Sequence, residues 1–129
     1  MLHDTTTGQS VQLTSNAGDD VSPQIANGIV VWQGFDGQDF EIFRWDGSVV
    51  TQLTHDTLRD ERPRVDDLGR IVWQKSDGFD SEIFYRAHGA NHRVTNNLND
   101  DSNPEIFDGT IVWQSFDGRD FEIERMQIP

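Results

Sequence analysis

The sequence predicts an all-β fold built from three copies of one four-stranded unit. Three observations lead to this prediction: a repeat of 40 to 41 residues, short runs rich in Val, Ile, Phe and Trp between Gly, Asn and Asp, and no 3.6-residue hydrophobic period over ten or more residues. The 129 residues are enough for one domain. Leu, Ile, Val and Phe make up about a quarter of them, which allows a packed core.

The repeat is clearest around tryptophan. Trp32, Trp73 and Trp113 each lie in the phrase Ile-Val-Trp-Gln, with one additional Val in the first copy. Other residue types recur with the same spacing: Pro23, Pro63 and Pro104; Gly28, Gly69 and Gly109; Asp36, Asp77 and Asp117; Glu41, Glu82 and Glu122. Because these spacings agree, one structural unit must be repeated along the chain.

Each unit predicts four strands, which we call A to D. Strand A follows an Asp-x-x-Pro phrase, where a missing hydrogen-bond donor is tolerated, and strand B carries the Trp. An Asp-Gly pair then predicts a tight hairpin with positive φ at both turn residues. Strand C begins near the repeated Glu, and strand D is the Leu-Thr or Val-Thr phrase. The units cover about 20–54, 60–95 and 101–129, after a strand D at 11–14 and a tail at 1–10.

These units have the properties of β-propeller blades. Strand B has apolar residues at consecutive positions, so it should be covered on both faces, as in blades packed face to face. A four-stranded unit of about 40 residues is also the size of one blade. The Trp side chains are therefore predicted to pack in the core.

The two ends of the chain complement each other. The first strand D has no A, B or C before it, and the last unit has no D. Three blades cannot close a ring alone, because closed propellers have about four to eight, and an isolated arc would expose two apolar faces. We therefore predict a homodimeric six-bladed ring with strand exchange, which a segment excised from a longer propeller would also form. The predicted closure residues are Val11, Gln12, Leu13 and Thr14 of one chain, beside Glu122 and Ile123 of the other.

Several phrases resemble TolB-like β-propeller repeats. The segments 20–23, 52–54, 82–84 and 101–104 contain that family's Asp before Pro, Leu-Thr and Glu-Ile-aromatic phrases in the family's order. The resemblance extends from about Val11 to the end, although only the glycine of the usual Ser-Pro-Asp-Gly turn is kept. It implies six blades and a protein-binding scaffold of the bacterial cell envelope or extracellular space, or a gating domain attached to a peptidase.

Composition excludes several function classes. The net charge of −13 repels phosphate and anionic lipid, so neither nucleic acid nor a membrane is an expected partner. Without Cys there are no disulfides and no common structural zinc sites. No nucleophile elbow, phosphate loop or zinc-protease motif occurs, so we predict no enzymatic activity and no cofactor.

The acidic residues predict a binding rim. In a meander, the B-C turns and the D-A segments lie at the same end of the blades, so their carboxylates should gather there and attract cations and basic peptides. The predicted rim ligands are Asp19, Asp20, Asp39, Asp60, Asp80, Asp100, Asp101 and Asp120. The alternative is structural: Asp36, Asp77 and Asp117 would serve the turns, while Asp20, Asp60 and Asp101 would bond to nearby backbone amides.

The sequence thus predicts a non-enzymatic scaffold that binds itself and a basic peptide at the rim or channel mouth. Alternation along strand A places Gln24, Arg64 and Glu105 in the channel. Two alternatives remain: a calcium- or glycan-binding module that uses pairs such as Asp39 and Glu41, or a propeller fragment without an evolved ligand.

Overall fold

A computed structural model describes residues 2–4, 9–14, 18–76, 78–96 and 99–129, with the backbone alone at 2–4 and 9–10. These residues contain thirteen strands and no helix, which confirms the all-β prediction. Accordingly, nothing in these ranges has the form of a long apolar helix that could cross a membrane.

Three antiparallel meander sheets form the blades. The first blade is β3 (Asp20–Ala26), β4 (Ile29–Phe35), β5 (Phe40–Trp45) and β6 (Val50–Gln52). The second is β7 (Arg59–Val65), β8 (Ile71–Ser76), β9 (Ser81–Ala87) and β10 (Ala90–Arg93). The third is β11 (Asp100–Phe107), β12 (Thr110–Phe116) and β13 (Phe121–Gln127), and within the described residues it has no strand D. Both strands D end just before the Leu-Thr or Val-Thr phrase that was expected to form them.

The N-terminus differs from its prediction. A small sheet joins β1 (Leu2–Asp4) to β2 (Gln9–Val11), so part of the expected tail is paired and the expected strand at 11–14 retains only Val11. The physical reason is proximity along the chain. Pairing within residues 2–11 closes a short loop, whereas pairing with a third blade requires a second chain.

Strand A contains a β-bulge at the same place in every blade. Ser22, Arg62 and Asn103 have φ of 56°, 56° and 54°, and each directly precedes the repeated proline. The pairing with strand B shifts at these residues. A bulge of this kind bends the strand and turns one backbone amide away from its own ladder.

The turns differ in type from the prediction. Positive φ at both turn residues occurs at Asn27-Gly28 and Asp108-Gly109, between strands A and B, rather than at the B-C turns. In the first B-C turn the Asp36 carboxylate accepts hydrogen bonds from Gln38 N and Asp39 N at 2.9 and 3.1 Å. Asp117 makes the same pair of bonds, so the predicted turn role of both residues is confirmed, whereas Asp77 lies outside the described residues.

The core lies between the blades. Val31, Ile42 and Leu53 of the first blade pack with Ile71 and Trp73 of the second. The next junction repeats this arrangement: Val72 and Ile83 of the second blade pack with Ile111 and Trp113 of the third. The three repeated Trp side chains are buried, as predicted.

Candidate functional site

The outer faces of the first and third blades are open. Ile42 and Ile83 are fully buried in the two junctions, whereas Ile123, at the same repeat position, is 78% exposed. On the opposite side of the arc, Pro63 and Pro104 are fully buried but Pro23 is exposed. The chain therefore presents one unpaired copy of each half of its own blade junction.

A repeated hydrogen bond links neighbouring blades. The Gln33 side-chain oxygen accepts from Arg62 N in the second blade at 3.0 Å. The Gln74 side-chain oxygen accepts from Asn103 N in the third blade at 2.8 Å. Both donors are the bulge amides of strand A. The equivalent acceptor in the third blade is the Gln114 side chain, and the equivalent donor in the first blade is Ser22 N. These two groups lie on the two open faces.

Threonine continues the edge pairing of strand C in both four-stranded blades. Thr54 Oγ1 accepts from Ile42 N at 2.9 Å, and Thr95 Oγ1 accepts from Ile83 N at 2.8 Å. The preceding residue adds a backbone bond to the same strand, from Leu53 N to Ile42 O at 2.7 Å and from Val94 N to Ile83 O at 2.8 Å. In the third blade this edge belongs to Ile123 of β13.

The N-terminal segment shares one hydrogen bond with these edge segments. Gln52 Nε2 donates to Thr54 O at 2.8 Å, and Arg93 Nε donates to Thr95 O at 2.7 Å. Gln12 Nε2 likewise donates to Thr14 O. Of the predicted closure residues, Leu13 and Thr14 are half-buried, and the others, Val11, Gln12, Glu122 and Ile123, are exposed.

The aspartates before the prolines have an internal partner. Asp60 and Asp101 are buried and accept the indole N–H of Trp73 and Trp113 at 2.9 and 3.1 Å, and half-buried Asp20 accepts that of Trp32 at 3.2 Å. These bonds differ from the structural expectation, since the donors are indole N–H groups and not backbone amides. Buried Trp N–H groups need such an acceptor.

The other rim residues lie nearer the surface. Asp19, Asp100 and Asp120 are exposed, while Asp39 and Asp80 are half-buried. Asp100 also accepts a hydrogen bond from Ser81 N at 2.9 Å, which joins the end of the third blade to the second. Six of the eight predicted rim residues, all except Asp60 and Asp101, are therefore exposed or half-buried.

A cluster of carboxylates lies at the first junction. Single oxygens of Glu41, Asp56 and Asp60 are within 4.8 Å of one another, so a B-C turn and a D-A segment do meet at one end. Burial and the neighbouring Asp39, Asp60 and Asp56 raise the pKa of Glu41 to about 8, against a lowering effect of Thr54. Burial raises the pKa of Asp60 to about 7, although Lys75 opposes this.

The predicted channel residues lie on neighbouring strands A. Arg64 Nε and Glu105 Oε2 form an ion pair of 2.6 Å between the second and third blades. Gln24 is exposed on the first blade. This ion pair joins equivalent positions on two adjacent strands A, so both side chains point into the same space.

Sequence reasoning missed three contributors. The Gln after each Trp was visible as a repeat, but its role depends on the bulge amide of the next blade. Asp56 and Lys75 form an ion pair at the first junction only, so no repeat marks them. Asp66, in the turn between β7 and β8, accepts from Gly109 N of the third blade at 3.1 Å.

Comparisons with known proteins identify the architecture. No protein-family model matches the sequence, and no curated protein does. Among solved structures, TolB from Acinetobacter baumannii matches with a TM-score of 0.71 at 18% identity, over 98% of this chain and 34% of that one. The β-propeller domain of the Trilobed protease from Pyrococcus furiosus, which has an open velcro topology, matches with a TM-score of 0.72 at 12% identity, over 92% and 39%.

The chain thus spans little more than a third of the length of either protein. At these identities the likeness concerns the fold. It confirms, at the level of architecture, the relationship that the repeat phrases suggested: the chain has the fold of three β-propeller blades similar to those of TolB.

Proposed function

We propose that this chain is a non-enzymatic propeller scaffold that closes with a second copy into a six-bladed ring. One observation carries the proposal: the two open faces are the two halves of a junction that the chain already makes twice. The third blade offers Val112, Ile123 and Gln114, and the first offers Pro23, Ile25 and the Ser22 amide. A two-fold axis would join both pairs of faces at once.

The exposed apolar groups on these faces support a second copy as the occupant. Ile123 is 78% exposed and Ile25 60% exposed, whereas their counterparts inside the arc are buried or half-buried. Burying such groups is the main favourable contribution to association. Residues 11–14 of the partner would then fill the edge of β13, as residues 53–54 and 94–95 do in their own blades.

The mass in solution tests the ring. We expect about 29 kDa by light scattering, twice the 14.7 kDa of one chain. Ile123→Arg should reduce the mass to that of one chain, because the charge would be buried at the junction. Leu68→Arg is the matched control, since Leu68 is 75% exposed in a turn away from both faces, and it should leave the dimer intact. A wild-type protein of one-chain mass at high concentration would contradict the ring.

The rim supports binding of a basic peptide by the same scaffold. Backbone amides of the B-C turns lower the pKa of Asp36 and Asp117, so both carboxylates stay ionised at neutral pH. Exposed Phe35 and Phe121 flank these turns and provide ring faces for Arg or Lys side chains.

A fluorescent oligo-arginine peptide tests this part of the proposal by anisotropy. Asp117→Asn with Asp120→Asn should weaken binding several-fold, and raised salt should weaken it further. Asp67→Asn with Asp108→Asn removes the same charge from the A-B turns, at the opposite end, and should have little effect. Equal losses in both double variants would show that only net charge matters and would contradict a rim site.

A further inference from the structure

We propose that the junction between the first and second blades binds Ca²⁺ through Glu41, Asp56 and Asp60. This site is separate from the ring closure, and it lies at the buried side of the acidic rim, to which Asp60 was assigned. Three different parts of the chain supply it: β5, the loop after β6, and β7. One oxygen of each carboxylate lies within 4.8 Å of the others. Two oxygens on opposite sides of Ca²⁺ are separated by about the same distance, since each lies about 2.3 to 2.6 Å from the ion.

Glu41 is the observation that points to a ligand. Its side chain is fully buried, and within the described residues neither carboxylate oxygen makes a hydrogen bond of normal geometry, although the Thr54 hydroxyl and the Asp39 carboxyl group lie beside it. Asp60 Oδ2 and Asp39 Oδ1 are buried there without partners as well. Buried carboxylate oxygens are normally paired, because desolvation without a partner is costly. Several unpaired acceptors at one place therefore require protons or a cation.

Lys75 does not satisfy this requirement. Its Nζ bonds to Asp56 and lies 3.6 Å from Asp60 Oδ1, and within the described ranges it makes no ion pair with Glu41. Glu41 also belongs to a second group with Asp36 and Asp39, whose oxygens again lie within 4.8 Å. The two groups together contain five carboxylates, of which Lys75 pairs with Asp56 and Asp60, and a divalent cation would balance two more of the charges.

The chemistry of the donors favours Ca²⁺. All of them are carboxylate oxygens, which hard cations prefer, and neither His nor Cys takes part. Ca²⁺ accepts irregular arrangements of six to eight oxygens, whereas Mg²⁺ requires a nearly ideal octahedron and retains several waters. Ligands that come from separate strands and a loop suit the less demanding ion.

The second junction differs from the first in its polar partners, although Glu82 Oε1 and Asp101 Oδ2 are also buried there without a hydrogen bond. Glu82 holds the position of Glu41 in the next repeat, but it accepts a hydrogen bond from the Thr95 hydroxyl, and Arg93 lies 4.0 Å away. In the third blade Glu122 is exposed beside Asp117 and Asp120. The proposed site therefore depends on the first junction and does not follow from the repeated Asp-x-Glu phrase.

Ca²⁺ should compete with a proton at Glu41. The titratable groups that face it are Asp36 and Asp39 in the adjoining turn, Asp56 in the loop after β6, Asp60 on β7 and Lys75 on β8. Together with burial, the carboxylates keep the pKa of Glu41 near 8. Because a ligand must be deprotonated, Ca²⁺ binding should release a proton and should strengthen as the pH rises towards 8.

Calorimetric titration with CaCl₂ at pH 8 tests the site, and Tb³⁺ luminescence provides a second signal. Trp73 is positioned to sensitise Tb³⁺, since its Nε1 lies 2.9 Å from Asp60 Oδ1. We expect one Ca²⁺ per chain with a Kd of about 10⁻⁵ to 10⁻³ M. Glu41→Gln, which keeps the side-chain shape, should weaken binding at least about tenfold, as should Asp56→Asn in the half-buried loop.

Glu82→Gln is the matched control and should change the affinity less than about twofold. The absence of binding at millimolar Ca²⁺ would overturn the proposal. So would a Glu41→Gln variant of native fold, or an Asp56→Asn variant, that binds as the wild type does. Equal weakening by Glu82→Gln would also overturn it, because binding would then follow the repeat and not the first junction.

Discussion

The second and third blades have closely similar strands B and C but different surroundings. Glu82 and Ile83 of the second blade are buried by residues 94–95 and the third blade, whereas Glu122 and Ile123 of the third are exposed. The difference arises from what adjoins each blade, because the Ile side chains at the two positions are identical. The repeat therefore specifies an interface rather than a self-sufficient blade, and each end of the arc has one such interface unused.

The largest effect should come from the buried isoleucine of the middle blade. Ile83→Ala removes three carbons from a packed junction and should lower the free energy of unfolding by about 2 to 5 kcal/mol at every protein concentration. Ile123→Ala should instead act through the dimer, so its cost should appear as a weaker dependence of stability on protein concentration. Urea denaturation at two concentrations measures both. Equal, concentration-independent losses would contradict the distinction between the blades.

The aspartates that accept indole N–H groups should likewise differ in how much they contribute to the stability of a single chain. Asp101→Ala leaves the buried Trp113 N–H without its partner and should cost about 1 to 3 kcal/mol. Asp20→Ala should cost less in the Ile123→Arg background, because Asp20 is half-buried on an open face. Thermal denaturation of both variants in that background compares them. A larger loss for Asp20→Ala would mean that the first blade is covered even in one chain.

The first junction should make stability depend on pH. The pKa of Glu41 is raised to about 8, so folded protein retains a proton that unfolded protein releases at lower pH. The retained proton therefore stabilises the folded state fully below about pH 4.5, and this stabilisation is lost as the pH rises to about 8. In EDTA, Glu41→Gln should flatten this decline and raise the Tm at pH 8 by about 3 °C or more. Differential scanning calorimetry from pH 5 to 8 measures it, and an unchanged slope in the variant would contradict the assignment.

The smallest effect should come from the glutamines that bridge blades. Gln74→Ala removes the acceptor for Asn103 N and should cost about 0.5 to 1.5 kcal/mol in a single chain. Gln114→Ala should have no effect on the isolated chain but should weaken the dimer. Stability in the Ile123→Arg background, together with dimer mass in the wild-type background, separates the two. If Gln114→Ala lowered the stability of the single chain, the Gln114 side chain would have to make a hydrogen bond within that chain, which would contradict the account.

The architecture was predictable because it depends on residue types at a fixed period. The repeated Trp, Pro and Gly specified the blades and the buried strands B, which the structure shows, whereas the predicted strand D at 11–14 retains only Val11. The bulges were not predictable in this way, since a residue before proline usually has an extended backbone and not the left-handed φ of Arg62.

The site was less predictable because it depends on contacts between units. The sequence indicated that acids gather at one end, but it could not separate Asp60, which accepts an indole N–H inside the protein, from Asp100, which lies at the surface. Both occur in similar acidic phrases. The unpaired Glu41 depends on Asp56 and Lys75, which occur once and therefore carry no periodic signal.

An engineered disulfide tests the ring most directly, since the chain contains no Cys. Phe43 and Gln52 are paired across β5 and β6, and the corresponding residues at the proposed closure are Glu124 and Gln12 of the partner copy. After mild oxidation, Gln12→Cys with Glu124→Cys should run on a non-reducing gel as a closed dimer of about 29 kDa, twice the chain mass, and should revert with reductant. A cross-link within single chains, an open ladder of higher oligomers or no cross-link at all would contradict the ring.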